Sequence, residues 1–245
     1  MKKITVNALI FIILLSLDVN AQSLLPIKYG IKVGSNISNV TSTANEGVEN
    51  IDNSALTGIA GGFYMEIPLN DKWYLNPDLI YVQKGVDFAY DYTYNYPPNN
   101  GKDRYTTTNS LKLTYVELSP TFSYRASDKI ALNAGPSVAF MIGVDSTFND
   151  KLTSESIVSE IPGSAVYESE SLDLGFNLGL SYYVADNFLF EFRVNTGIMS
   201  IGKVSKVINP GSTGNPVESN IYDLKNRGLM SVSYTHLTLP TKRIV

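Results

Sequence analysis

The sequence predicts an all-β fold, an eight-stranded antiparallel up-and-down transmembrane β-barrel, for a chain of 245 residues. Eight stretches carry apolar side chains at every second position, and this period places apolar and polar side chains on opposite faces of a sheet. The connections between the stretches alternate between long and short, as in outer-membrane barrels. Beyond the N-terminal segment, no stretch approaches the run of about 18 apolar residues that indicates a membrane-spanning helix.

The clearest pattern lies around residues 62–85, which read GFYMEIPLNDKWYLNPDLIYVQKG. Apolar side chains alternate on both sides of a central turn: Ile59, Phe63, Met65 and Ile67 before it, and Trp73, Leu75, Leu79 and Tyr81 after it. Pro68, Asn70 and Asp71 provide the turn. The pattern therefore predicts two strands, at 57–67 and 73–86, joined by a tight hairpin.

The same alternation predicts the other strands at 27–36, 111–124, 129–143, 171–184, from 188 onward and from 225 onward. Polar segments predict long loops at 37–55, 87–110, 144–170 and 201–223. Short turns are predicted at 68–72, 125–128 and 185–187. Because outer-membrane barrels have large external loops and tight periplasmic turns, both termini are predicted to be periplasmic.

The apolar face is predicted to meet lipid. In the second to seventh strands this face carries no charged residue, whereas the alternate face does. Aromatic residues next to the short turns fit an interfacial girdle: Trp73, Tyr124, Tyr182 and Phe188. Prolines inside the predicted strands, Pro77, Pro120 and Pro136, each remove a ladder hydrogen bond, so β-bulges are expected, above all at Gly135-Pro136.

The two ends of the chain differ in character from the barrel domain, which is predicted at 22–233. Lys2 and Lys3, the apolar residues 8–17 and the small-residue pattern ending at Ala21 predict a signal peptide at 1–21. Residues 234–245, YTHLTLPTKRIV, resemble the translation of a sequencing adapter. We therefore expect them to be a non-native tail that replaces the end of the natural last strand, with a genuine basic tail as the alternative.

Composition argues against several functions. The formal net charge of −4 lacks the basic surface that nucleic acid requires, and without cysteine there is neither a disulfide nor a thiolate metal site. Barrel hydrolases generally use a histidine base, but the single histidine, His236, lies in the suspected tail. We expect no enzyme, no cofactor and no bound metal ion, although Glu117 and Asp173 leave carboxylate-pair chemistry as an alternative.

Charged side chains on the alternate face are predicted to point into the lumen: Glu66, Asp78, Lys84, Glu117, Asp173, Glu191 and Arg193. An eight-stranded barrel encloses a space just wide enough for side chains to fill. Because unpaired charges are costly in such a space, a paired polar network is expected. A narrow channel is the alternative.

Four alternating tyrosines, Tyr90, Tyr92, Tyr94 and Tyr96, follow the third predicted strand. Rigid amphipathic rings make good contacts with proteins or glycans, so these residues are candidate contacts for a partner at the external loops. The alternative is that the strand continues and that its tyrosines form an interfacial belt.

Several motifs resemble those of the PorT-like outer-membrane β-barrel family: NPDLIYVQKG, YVELSP at 115–120, Gly135-Pro136, and GFNLGLSYY at 175–183. The resemblance covers about 27–233. It implies an eight-stranded barrel in the outer membrane of a Gram-negative cell, in contact with outer-membrane lipid, and a link to protein secretion. The expected function is a non-enzymatic scaffold or an interaction platform formed by the external loops, with a narrow pore for small solutes as the alternative.

Overall fold

The computed structural model describes residues 27–44, 48–96, 101–153, 160–161, 165–185, 187–208 and 217–237. Side chains are described within 27–41, 52–89, 108–147, 167–185, 187–203 and 224–235. The predicted signal peptide at 1–21 and the tail residues beyond 237 lie outside the described residues. No helix in the described part of the chain is long and apolar enough to cross a membrane.

Eight strands form a closed antiparallel barrel, as the sequence predicts. The strands of the whole sheet are β1 (Lys28–Ala44), β2 (Val48–Pro68), β3 (Trp73–Tyr96), β4 (Gly101–Arg125), β5 (Ile130–Thr153), β6 (Glu160–Ile161), β7 (Ala165–Ser169), β8 (Leu172–Ala185), β9 (Phe188–Gly197), β10 (Gly202–Ile208) and β11 (Val217–Leu237). The barrel order is β1-β2-β3-β4-β5-β8-β9-β11, and β11 pairs back onto β1. Closure matters because a backbone edge in hydrocarbon would have no water to bond.

The apolar face points outward, as predicted. Phe63, Leu178 and Phe176 are 67%, 56% and 43% exposed, although each is large and apolar. The alternate positions point into the barrel and are buried. Because water would not solvate so many exposed apolar side chains favourably, this outer surface fits lipid.

The predicted long loops at 37–55, 87–110, 144–170 and 201–223 are wrong over much of their length. The strands continue through them: β1 reaches Ala44, β5 reaches Thr153, and β3 and β4 stay paired up to Tyr96 opposite Gly101. These segments are polar on both faces, which suggested loops, but their threonines and tyrosines favour extended backbone. Hairpin pairing also satisfies the backbone hydrogen bonds of segments that project beyond the membrane.

The predicted β-bulge at Gly135-Pro136 is also wrong. Strand β5 pairs with β8 in one continuous register across this site. Pro77 pairs with Pro120, and the register places Pro120 opposite Pro136, where the β4–β5 pairing is interrupted and then resumes unchanged. The missing N–H donors are therefore concentrated in one row across three strands, and no extra residue is needed there. The register shift between β4 and β5 lies instead at Thr114.

The last strand runs from Val217 to Leu237, so it begins earlier than expected and includes the first residues of the suspected tail. Tyr234 is buried and packs edge-on against Tyr64, with ring centroids 4.6 Å apart. Leu237 pairs with Tyr29 of β1. The non-native origin of 234–245 stays a prediction, and the barrel closes through these residues.

Candidate functional site in the barrel lumen

The lumen holds all seven charged residues that the sequence places on the inner face. The most exposed of them, Lys84, is only 4% exposed. The structure gathers them, with further side chains, into two ion clusters and one pairing site near the short turns. Above them, toward the long connections, apolar side chains predominate in the interior.

The first group, which we call the Asp78 cluster, consists of Lys32, Asp78, Glu191 and Arg193. Arg193 Nη2 lies 2.7 Å from Asp78 Oδ2, and its Nε lies 3.0 Å from Glu191 Oε1. Lys32 Nζ donates a short hydrogen bond to Asp78 Oδ2 and lies 3.8 Å from Glu191 Oε2. Two cations thus face two carboxylates, so the cluster is neutral and each charge has a partner of opposite sign.

The second group, the Lys84 cluster, consists of Lys84, Glu117 and Asp173. Lys84 Nζ lies 2.8 Å from Glu117 Oε2 and 3.3 Å from Asp173 Oδ2. Asn226 donates a hydrogen bond of 2.9 Å to Asp173 Oδ2, and Ser119 donates one of 2.9 Å to Glu117 Oε1. Because one ammonium serves two carboxylates, neutral donors from other strands supply part of the stabilisation.

Glu66 forms a third pairing site close to the short turns. Its carboxylate accepts hydrogen bonds from Arg125 Nη2 at 3.2 Å and from the Tyr183 hydroxyl at 2.9 Å, and Lys28 Nζ lies 3.7 Å away. Glu66 is 2% exposed, whereas the side chains of Arg125 and Lys28 are 23% and 34% exposed. This site therefore lies where the lumen meets water, at the end of the barrel with the short turns.

The interior toward the long connections is filled by apolar side chains, which we call the apolar cap: Val86, Phe88, Leu111, Leu113, Ile201 and Leu224. Ile201 comes from the segment between β9 and β10. Its backbone N–H donates to Leu224 at 2.7 Å, and its carbonyl accepts from the Tyr167 hydroxyl at 2.8 Å and from the Glu170 N–H at 2.8 Å. These bonds fix Ile201 over the end of the barrel.

The cavity beside the Asp78 cluster measures only about 10 Å³. It is bordered by charged and hydroxyl-bearing side chains from several strands, among them Tyr64, Asp78, Tyr183 and Arg193. Such a volume is about the size of one water molecule. The arrangement can hold the strands in register, and it leaves little space for a substrate at this level.

Further residues of this network are not among the seven predicted charged residues, and Lys32, Arg125 and Asn226 are examples. Lys32 had a usable signal, because it shares the inner face of the first strand with Lys28. The sequence predicts Arg125 in a turn, but it is the last residue of β4 and its guanidinium reaches Glu66. Asn226 had no distinctive signal, since its role depends on a partner in β8.

The remaining candidates are only partly covered by the structure. Tyr90, Tyr92, Tyr94 and Tyr96 lie on β3, where it pairs with β4, but their side chains are outside the described ones. His236 pairs with Gly30 through the β1–β11 ladder, and its side chain is likewise not described. A role of the tyrosines in binding therefore stays a prediction.

Among solved structures, the fold is similar to OprG from Pseudomonas aeruginosa, with a TM-score of 0.47 and 13% identity over 86% of this chain and 96% of that one. Neisserial surface protein A gives 0.43 and 13%, covering 84% and 96%. Ail, the attachment invasion locus protein of Yersinia pestis, gives 0.37 and 10%, covering 86% and 98%. No relative among the curated proteins matches the chain.

A family model described as an outer membrane protein beta-barrel domain matches residues 20–202. The matched segment contains β1 to β9 and thus seven of the eight barrel strands. The family match agrees with the closed barrel and its apolar outer surface. Together these findings place the protein in the outer membrane. The chain belongs to the outer membrane protein beta-barrel domain family.

Proposed function

We propose that this outer-membrane barrel is a closed, non-enzymatic scaffold whose extracellular strand extensions form an interaction platform. The observation that carries the proposal is the filled lumen, in which two ion clusters lie beneath an apolar cap. A barrel whose described lumen is filled in this way acts through its surfaces. The largest described extension beyond the membrane is the β3–β4 hairpin.

The ion clusters argue against the alternative of a narrow pore. A solute that passed the Asp78 cluster would have to separate Arg193 from Asp78 and Glu191, and those charges would then be buried without partners. It would next meet the apolar cap, where apolar side chains predominate and a polar solute finds few hydrogen-bonding partners. Both barriers lie in series.

The same pairing supports the absence of enzyme activity. Glu117 and Asp173 share the ammonium of Lys84, and both are almost fully buried. Carboxylates that act on a substrate need a cavity that admits it. In the described part of the lumen, these two carboxylates are enclosed by protein partners.

The β3–β4 hairpin supports the platform. The two strands remain in one register from Trp73↔Tyr124 to Tyr96↔Gly101, without a shift. At about 3.4 Å per residue, the part of β3 beyond Val86 adds a ribbon of roughly 30 Å. A ribbon of this length, rich in tyrosine, offers contact area to a protein or glycan on the cell surface.

Deletion of residues 88–106 tests the platform. It joins Asp87 to Thr107 and leaves a three-residue hairpin loop beyond the Asp87–Ser110 pair, so the membrane part keeps its register; it also removes Phe88 of the apolar cap. Cells that carry the variant should lose adhesion to immobilised glycans or proteins that the full chain supports. A gel shift between boiled and unboiled protein verifies that the barrel is folded. Unchanged adhesion and unchanged export by a folded variant would contradict the platform.

Planar-bilayer conductance of the refolded protein tests the closed lumen. We expect no single-channel steps from the full chain. An Arg193→Ala variant, which opens the Asp78 cluster alone, should also show no steps, because the apolar cap remains in place. Clear steps from the unaltered protein would favour the pore.

We also propose that the barrel is PorT-like and serves protein secretion, on the strength of the hairpin motifs at 76–85, 115–120 and 175–183. Removal of the gene in the native host should reduce the amount of exported protein in the medium. Complementation with the full chain should restore it, and complementation with the 88–106 deletion should not. Normal export without the gene would contradict this link.

A further inference from the structure

The outer wall of the barrel carries a trough near the short turns. Its volume is about 530 Å³, and it is lined by Trp73, Phe122, Tyr124, Leu132, Ala134 and Leu178, with backbone at Gly179. The trough spans the outer faces of β3, β4, β5 and β8. It lies within the lipid-facing surface of the barrel, between large apolar side chains.

The trough exists because Ala134 is small. Ala134 pairs with Phe122 of β4 on one side and with Leu178 of β8 on the other, and Leu132 precedes it on the same face. The side chains of Phe122, Leu178 and Leu132 are 50%, 56% and 52% exposed. They project from the sheet and form the walls of the trough. Gly179 adds no side chain at the edge of the floor.

The end of the trough toward the short turns has an aromatic rim. The rings of Trp73 and Tyr124 are 5.0 Å apart and tilted by 52°. Both residues lie next to short turns, at the level where amphipathic rings meet the headgroups. The Arg125 N–H donates to the Lys72 carbonyl at 2.8 Å and so ties two turns together beside the rim.

Two lysines lie close to this end of the trough along the chain. Lys72 directly precedes Trp73, and Lys129 lies in the turn between β4 and β5, directly before Ile130; both side chains are exposed. An ammonium group at this level is suited to a lipid phosphate. The apolar floor therefore suits the acyl chain of a phospholipid, and the cationic rim suits its headgroup.

We propose that the trough holds one phospholipid of the periplasmic leaflet, with an acyl chain over Ala134 and its phosphate beside Lys72 and Lys129. The occupant is lipid because the trough continues the lipid-facing surface of the barrel without a break. Its position on the short-turn side assigns the leaflet. An anionic phospholipid is preferred, since its net charge complements the two ammonium groups.

Trp73 is the single tryptophan of the chain, and it makes the site directly measurable. The protein is refolded into vesicles of phosphatidylcholine that contain increasing fractions of phosphatidylglycerol with brominated acyl chains, which quench tryptophan fluorescence on contact. Half-maximal quenching should occur at a mole fraction about five-fold lower for brominated phosphatidylglycerol than for brominated phosphatidylcholine. Lipid that merely surrounds the barrel would give two coincident curves that follow the mole fraction.

Ala134→Leu fills the floor of the trough and should move the phosphatidylglycerol curve to the position expected for surrounding lipid. Gly61→Leu is the matched control, because it adds the same side chain on the outer face of β2, where a Cβ makes only ordinary contacts. It should leave the curve unchanged. Lys72→Gln with Lys129→Gln should remove the preference for the anionic lipid and retain folding.

The proposal would be overturned if the phosphatidylglycerol and phosphatidylcholine curves of the unaltered protein coincided. It would also be overturned if the phosphatidylglycerol curve of Ala134→Leu equalled that of the unaltered protein. A second barrel that covers the trough would make the quenching weaker than surrounding lipid gives. That quenching would increase when the protein is diluted in lipid. This result would also overturn the proposal. The measurement on the unaltered protein decides the matter even if a variant does not fold.

Discussion

The half of the lumen nearer the short turns is held together by ions, and the half nearer the long connections by aliphatic side chains. In the ionic half, Asp78 and Arg193 could not be moved to the outer face without placing charge in lipid, so a slip of one residue is strongly disfavoured. In the apolar cap, Leu111 or Leu113 could face lipid equally well. The ionic half therefore specifies the register, and the cap excludes water.

The comparison predicts that the loss of one ion affects stability most. Arg193→Met should lower the free energy of unfolding by about 3–5 kcal/mol, because Asp78 and Glu191 remain buried with one cation fewer. Urea titration in phospholipid vesicles measures it. Arg227→Met, at an exposed position of β11, is the control and should change the value by about 0.5 kcal/mol or less. Equal effects of the two substitutions would mean that the Asp78 cluster contributes little.

A cavity in the apolar cap should lower the free energy of unfolding somewhat less than the loss of Arg193 does. Leu113→Ala removes a fully buried side chain and should lower the free energy of unfolding by about 2–4 kcal/mol. Leu79→Ala removes the same atoms from a side chain that is 50% exposed on the outer face, where acyl chains can fill the space. The same urea titration should show a clearly smaller effect for Leu79. If the order were reversed, the cap would not be packed as described.

The edge of the ionic half should be least sensitive. Arg125→Met should lower the free energy of unfolding by about 1 kcal/mol, since Arg125 is partly exposed and Lys28 remains near Glu66. The effect should shrink when the titration is repeated at high salt, because exposed charges are screened. If Arg125→Met lowered the free energy of unfolding as much as Arg193→Met does, and independently of salt, water would be excluded from the network as far as the short turns.

The sequence was sufficient to predict the barrel, its strand number and the face that meets lipid. These features depend on the contrast between a lipid-facing and a polar inner side chain, and the contrast is visible wherever charged or polar residues alternate with apolar ones, as at Glu117 and Leu118. The seven inner charged residues were identified in this way. Their partners were only partly identified, because a contact such as Asn226 with Asp173 depends on the order and the tilt of the strands.

The apolar cap and the strand extensions could not be predicted in the same way. At Leu111 and Leu113, which point inward, the alternate positions carry Lys112 and Thr114, so the apolar face is the inner one and the contrast that marks the lipid-facing side disappears. Beyond the membrane both faces are polar, as in the threonine run at 106–108, and the contrast disappears again. In each case the structure depends on pairing with the neighbouring strand, which one strand's pattern does not reveal.

The outward direction of the apolar face can be tested by a nitroxide scan along β8, from Leu172 to Val184, since the chain has no cysteine to interfere. Each position is replaced in turn by a labelled cysteine, and the accessibility of the label to oxygen and to a water-soluble nickel complex is measured in vesicles. The account predicts that oxygen accessibility rises and falls with a period of two residues and peaks at Phe176, Leu178 and Leu180. Maxima for the nickel complex at those three positions would contradict it.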